Sequence, residues 1–150
     1  MAIQRNVEPT EEDKEISEDI VRFVNVAWGR ALRASPGLWR AVAEARLAGY
    51  TYQQMLLVYW SAAGGANEYA MDMMAKNKGW TASLFLRFKG GQNVYGSEAK
   101  RWLDELYEIL GDSNPKLITA LMERLQKVDP ELAKKHGELL QAYGVPGAPA

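Results

Sequence analysis

Thr51-Tyr52-Gln53-Gln54-Met55-Leu56-Leu57-Val58-Tyr59-Trp60-Ser61-Ala62-Ala63-Gly64-Gly65 decides how this chain must fold. Thr51 is a residue type that caps helix starts, and the paired glycines end whatever precedes them. Between them lies a helix that is apolar on nearly all sides. Such a helix has no face to give to water, so it is buried, either in a core or against another subunit. The remaining elements must supply apolar faces to surround it.

Working toward the N-terminus, Ser35-Pro36 pairs an N-cap with proline at the first helical position, and Gly49 supplies the stop, which predicts a helix over 36–48. Further upstream, Thr10 and Asp13 have the spacing of a capping box, and Glu11, Glu12 and Asp13 suit the positive end of a helix dipole. The helix they open is expected to run to about Arg33, with Ile16, Ile20, Val24, Ala27 and Ala31 as its core face. At about 100° per residue, Arg22, Gly29 and Arg33 share an arc on the opposite side, with Arg30 nearby and Glu15 and Glu18 extending that face.

Toward the C-terminus, a helix is expected over Asn67 to Ala75, followed by the basic turn Lys76-Asn77-Lys78-Gly79. Thr81 to Lys89 fits a strand or a short helix, and helix is preferred. Ser97-Glu98 opens a helix to Leu110, Asn114-Pro115 opens the next, and Asp129-Pro130 opens the last, closed by Gly144. The expected fold class is all-α, with seven or eight helices in a single domain. Its parts are an N-terminal helix-turn-helix arm over 1–65, a compact C-terminal helical bundle over 66–144 and a tail over 145–150.

At 150 residues, with 47% hydrophobic and 25% charged residues, the chain can bury a core without disulfides or metals. It has no cysteine, which excludes disulfide frameworks, thiolate nucleophiles and cysteine-based zinc sites. Residues 1–18 lack the basic start and apolar core of a signal peptide, and no apolar run approaches the roughly 20 residues of a membrane span. A soluble protein is the expectation.

Catalytic constellations find no support. The one histidine, His136, sits beside Lys134 and Lys135 without a carboxylate three or four residues away, and is expected on the surface rather than on a metal. Asp104 and Glu108 fit a salt-bridged surface, and neither Gly64-Gly65 nor Gly90-Gly91 has the context of a phosphate-cradling loop. No enzyme activity, cofactor or small-molecule substrate is expected.

Charge is distributed unevenly. The net charge of −1 divides into −5 over residues 1–19, +7 over 20–101 and −3 over 102–150. The basic middle contains Arg22, Arg30, Arg33, Arg40, Arg46, Lys76, Lys78, Arg87, Lys89, Lys100 and Arg101, interleaved with aromatic residues such as Trp28, Trp39, Trp80, Phe85, Phe88 and Tyr95. Cations on one surface neutralise phosphates and release counterions. The alternative is a solvated cationic face over an aromatic core. Ala45, Gly49 and Met55 also form a partial helix-turn-helix pattern with Gln53 and Gln54 near the start of its second helix. No Lys or Arg occurs from Leu47 to Ala75 to anchor that helix on DNA, so a plain helical hairpin is expected. Finally, the apolar run and the Met71-Met73-Met74 cluster exceed what one small domain readily covers, which predicts a subunit interface at Tyr52, Met55, Tyr59, Trp60, Met71 and Met74.

A cysteine-free helical chain with an arginine-bearing N-terminal hairpin, a glycine-punctuated apolar middle and a helical C-terminal part resembles the major capsid proteins of filamentous archaeal viruses. The stretch Tyr59-Trp60-Ser61-Ala62-Ala63-Gly64-Gly65-Ala66-Asn67-Glu68 is similar to interhelical segments of such proteins. The resemblance implies a virion subunit whose N-terminal arm wraps double-stranded DNA in A-form and packs on further copies or a paralogous subunit. It assigns Arg22, Arg30, Arg33, Arg40 and Arg46 to phosphate contacts. Two alternatives stay open. One is a non-specific single-stranded DNA-binding protein that stacks bases on Trp80, Phe85, Phe88 and Tyr95 beside Arg87 and Lys89. The other is a helical adaptor or inhibitor that binds a protein through its methionine-rich surface.

Overall fold

The computed structural model describes residues 7–76, 81–87 and 101–149. They form helices α1 (Glu11–Trp28), α2 (Pro36–Leu47), α3 (Tyr52–Ala63), α4 (Glu68–Lys76), α5 (Trp102–Glu108), α6 (Pro115–Val128) and α7 (Pro130–Ala142). Short 3-10 turns occur at Leu84–Leu86 and Leu110–Asp112. No strand occurs among the described residues, and the chain is all-α as expected. The 81–87 segment takes the helical alternative only as its single 3-10 turn. Residues 88–100, on which the start of the Ser97 helix falls, lie outside the described residues.

The polar signals at helix starts act as the sequence predicts. Thr10 and Asp13 form a reciprocal capping box, with the Asp13 backbone N–H donating to Thr10 Oγ1 at 3.1 Å and the Thr10 N–H to Asp13 Oδ2 at 2.8 Å. Thr51 and Gln54 repeat the arrangement at α3, and Ser35, Asn114 and Asp129 cap α2, α6 and α7. One helix end differs from expectation. α1 stops at Trp28 because Gly29 adopts a left-handed conformation (φ 63°), which glycine enters without the Cβ penalty. The chain then doubles back, held by the Asn25 side chain, which donates to the Leu32 carbonyl and accepts from the Leu32 N–H. Ala31, Arg30 and Arg33 therefore lie off the helix, and the arc that grouped Arg30 and Arg33 with Arg22 does not form.

α3 is the hub. It packs against α1, α4, α5 and α6 and against both 3-10 turns, while α1 also packs on α2, α6 and α7. Every residue from Met55 to Ala62 is buried, and Met55, Leu57, Val58, Trp60 and Ala62 are wholly inaccessible. The apolar run is thus satisfied within the chain. One continuous core joins Ile20 and Val24 of α1 to Leu103 and Leu106 of α5 and to Leu125, Leu132 and Leu140 of the α6–α7 hairpin. The expected division into an N-terminal arm and a separate bundle is corrected accordingly, because residues 1–65 contribute the centre of the core that residues 66–144 enclose. α3 ends where Gly64 passes so close to α6 that a Cβ would lie 2.6 Å from Ile118 Cδ1.

Two buried polar groups hold this core in register. His136 is 1% exposed, which corrects its expected place on the surface. Its Nδ1 accepts a hydrogen bond from Trp60 Nε1 at 2.9 Å, and Phe23 lies against both rings. Burial lowers its pKa to about 4; Asp19 and Asp129 oppose that shift, and Lys135 and Arg22 add to it. Asp13 is also fully buried. Burial alone would raise its pKa, but hydrogen bonds from Arg46, Thr10 and Tyr52 override it and bring the carboxyl to about 2.

Two predictions follow from these groups. A histidine whose pKa is lower folded than unfolded takes up protons on unfolding, so stability is complete above its usual pKa of 6.5 and falls as pH drops toward 4. Urea titrations should show a loss of about 3 kcal/mol across that window, absent in His136→Gln; equal slopes in both proteins would show that His136 is not the group responsible. Asp13→Asn should cost about 2–4 kcal/mol at neutral pH, since it leaves Arg46 without its buried counter-charge. A midpoint unchanged from the wild type would contradict the role given to this carboxylate.

Candidate nucleic-acid interface

Three of the arginines expected on phosphate are instead built into the fold. Arg46, on α2, donates from Nε and Nη2 to the two oxygens of Asp13, each at 2.9 Å. Arg22, on α1, makes the same two-pronged contact with Asp129 at 2.8 and 2.6 Å, reaches Glu131 at 3.2 Å and lies 3.6 Å from Asp19. The hydrogen bonds to Asp129 raise its pKa further. Arg30 is half-buried and donates to the Met74 carbonyl at 2.8 Å, tying the segment after α1 to α4. A guanidinium forked onto a carboxylate has its charge compensated and two of its five N–H donors taken. Arg22 and Arg46 are held in this way, and Arg30 is held on a backbone carbonyl, so the structure gives all three a role as structural ties.

Arg33, Arg40 and Arg87 differ. All three are exposed, and none pairs with a carboxylate among the described residues. Arg87 Nη2 donates to Thr81 Oγ1 at 3.0 Å, and Thr81 Oγ1 lies 2.9 Å from Ser83 Oγ. Arg33 and Arg87 line a common cleft of about 370 Å³ with Ser35, Gly37, Thr81 and Ser83. Arg40 lies one turn along α2 from Gly37. Lys76 is exposed and pairs with Asp72 at 3.3 Å, a surface contact that leaves the ammonium in water. Lys78 and Lys89 lie outside the described residues.

The expected subunit interface is largely absent from the surface. Met55, Tyr59, Trp60 and Met74 are at most 1% exposed, so they cannot meet another chain without unfolding this one. Tyr52 is half-buried and donates to Asp13 Oδ1 at 2.8 Å, and Met71 is half-buried on α4. The exposed large apolar side chains are instead Leu47, Tyr69, Leu117, Val128 and Tyr143. α2 and α3 do form a hairpin, with Ala45 and Met55 buried and Gly49 at φ 105°. α3 nevertheless forms the middle of the core, and of its two early glutamines Gln54 is committed to its own N-cap while Gln53 is exposed. Phe85 is fully buried and offers no stacking platform.

No protein-family model, curated protein or solved structure matches this chain. The resemblance to viral capsid proteins rests on the sequence features alone.

Sequence reasoning missed Thr81 and Ser83, whose hydroxyls reach the cleft only because the 81–87 turn folds against the start of α2. It also missed the carboxylates that occupy Arg22 and Arg46, which lie 107 and 33 positions away along the chain. This sorting of the arginines predicts that Arg22→Ala loses about 1–3 kcal/mol of stability, whereas Arg40→Ala stays within about 0.5 kcal/mol of wild type. Urea unfolding of the two variants measures the difference, and equal losses would contradict the assignment.

Proposed function

We propose that this protein is a non-catalytic DNA-coating subunit that holds double-stranded DNA through sequence-independent phosphate contacts, in the manner of a helical virion capsid protein. The observation that supports it best is that Arg33, Arg40 and Arg87 are exposed and have no carboxylate partner among the described residues, while Arg22, Arg30 and Arg46 are committed. Exposed guanidiniums suit the phosphate backbone, which is the same for every sequence. The burial of Phe85 weighs against the single-strand alternative at that one position, Trp80, Phe88 and Tyr95 lying outside the described residues, and the burial of Met74 weighs against the adaptor alternative. Contacts between copies fall to the exposed apolar residues, among them Leu47, Tyr69 and Val128.

Binding to random-sequence duplex DNA across a salt series tests this, with electron microscopy of saturated mixtures. Salt-sensitive binding and regular filaments are expected. Replacing Arg33, Arg40 and Arg87 together by Ala should flatten the dependence of log K on log salt by about 2 units. Arg22→Ala, where still folded, should leave that slope unchanged. Absence of salt-sensitive binding, or a slope indifferent to the triple substitution, would overturn the proposal.

A further inference from the structure

We infer that the cleft between the start of α2 and the 81–87 turn is a seat for one phosphate group of a sugar-phosphate chain, held by Arg33 and Arg87 together. The inference deepens the DNA-coating proposal and rests on it for the identity of the chain, but not for the phosphate itself. Two arginines from segments more than fifty residues apart line one cleft, and no carboxylate is among its described lining residues. Two cationic side chains lining one cleft favour an anion there.

The hydrogen-bonding groups agree with the charges. Arg87 is oriented by its bond to Thr81 Oγ1, which is in turn paired with Ser83 Oγ. Two hydroxyls sharing one hydrogen bond leave one hydroxyl hydrogen over, whichever of them donates, and both side chains line the cleft. On the opposite wall Pro36 has no N–H to offer, while the Gly37 N–H lies in the first turn of α2, where no helical acceptor exists. The space above Gly37 is open, since a Cβ there would meet only Ser35 Oγ at 3.7 Å. An anion can therefore approach the backbone closely. The floor is apolar, formed by Leu32, Leu38 and Ala82. At about 370 Å³ the cleft stands at the lower end of ligand-pocket sizes, with room for a phosphate and the carbon face of an adjoining sugar.

Sharing one phosphate has a measurable signature. Two arginines on one phosphate count once in counterion release, and two arginines on separate phosphates count twice. Arg33→Ala, Arg87→Ala and the double variant would be compared for duplex binding over a salt series. In parallel, the wild type and Gly37→Glu would be titrated with inorganic phosphate and with a deoxynucleoside monophosphate, following the Gly37 amide and the arginine Nε–H signals by NMR. Gly37→Glu places a carboxylate at the mouth of the cleft in a helix first turn that favours acidic residues, so the fold is retained while the anion is repelled.

The seat predicts that the double variant flattens the salt slope by about one unit, where arginines on two separate phosphates would give about two. It also predicts saturable shifts at Gly37, Arg33 and Arg87 in the wild type and at least about tenfold weaker binding in Gly37→Glu. Additive slopes or a flat phosphate titration would each overturn the seat. Saturable phosphate binding without duplex binding would uphold it and remove the DNA-coating proposal. Salt-sensitive duplex binding with additive slopes would do the reverse.

Discussion

The carboxylate of Asp13 is where three helices meet. One side chain closes the capping box of α1 through the Thr10 N–H, receives both prongs of Arg46 from α2 and accepts the hydroxyl of Tyr52 from the first turn of α3. An unpaired charge at a fully buried position would be prohibitively unstable, so the carboxylate requires these donors, and each donor arrives on a different element. Hydrophobic burial supplies most of the driving force for collapse, but it is non-directional and would tolerate α2 and α3 sliding along α1. Asp13 limits that sliding to the one arrangement that satisfies its oxygens.

Asp129 repeats the principle at the other end of α1. It caps α7 through the Leu132 N–H and receives the fork of Arg22. Asp19, nearly buried on α1, meanwhile takes Lys135 of α7. In each case a carboxylate placed at or near a helix face by local rules is used a second time by a cation from elsewhere in the chain. The acidic N-terminal segment and the basic middle, which look like separate electrostatic regions along the sequence, partly neutralise each other in space. Arg33, Arg40 and Arg87 have no carboxylate partner among the described residues.

Local chemistry was legible in the sequence. Thr10, Ser35, Thr51, Asn114 and Asp129 each cap the helix they were expected to open, because capping depends on residues three apart or fewer. The all-α class follows from the same signals. Pairing across the chain was not legible, since helical periodicity gives the face an arginine occupies and says nothing of the carboxylate it meets. Arg22 and Arg46 were misplaced for that reason. His136 was a different kind of miss. Its lysine neighbours suggested a polar face, yet Leu132, His136 and Leu140 recur four apart and mark a buried stripe, all three with 1% exposure or less. The period carried the information that the neighbours obscured. The apolar run of α3 was correctly assigned to burial, but sequence could not say whether its cover came from this chain or another. Helices α1, α4, α5 and α6 of the same chain supply it.

A self-covered core constrains how such a protein could coat DNA. Once Met55 to Ala62 are enclosed by the chain's own helices, copies cannot be joined by exchanging core, and the contacts between them must be surface contacts. On the proposed reading each subunit would bring few phosphate contacts from its N-terminal region, because Arg22, Arg30 and Arg46 are committed internally. A slope of about two in log K against log salt corresponds to weak binding by one subunit at physiological ionic strength. A continuous coat would then depend on coupling between the two interactions. DNA raises the local concentration of subunits along its length, and weak contacts between neighbours gain from that proximity without having to hold the subunits together in free solution. Exposed apolar residues such as Leu47, Tyr69 and Val128 are available for such contacts.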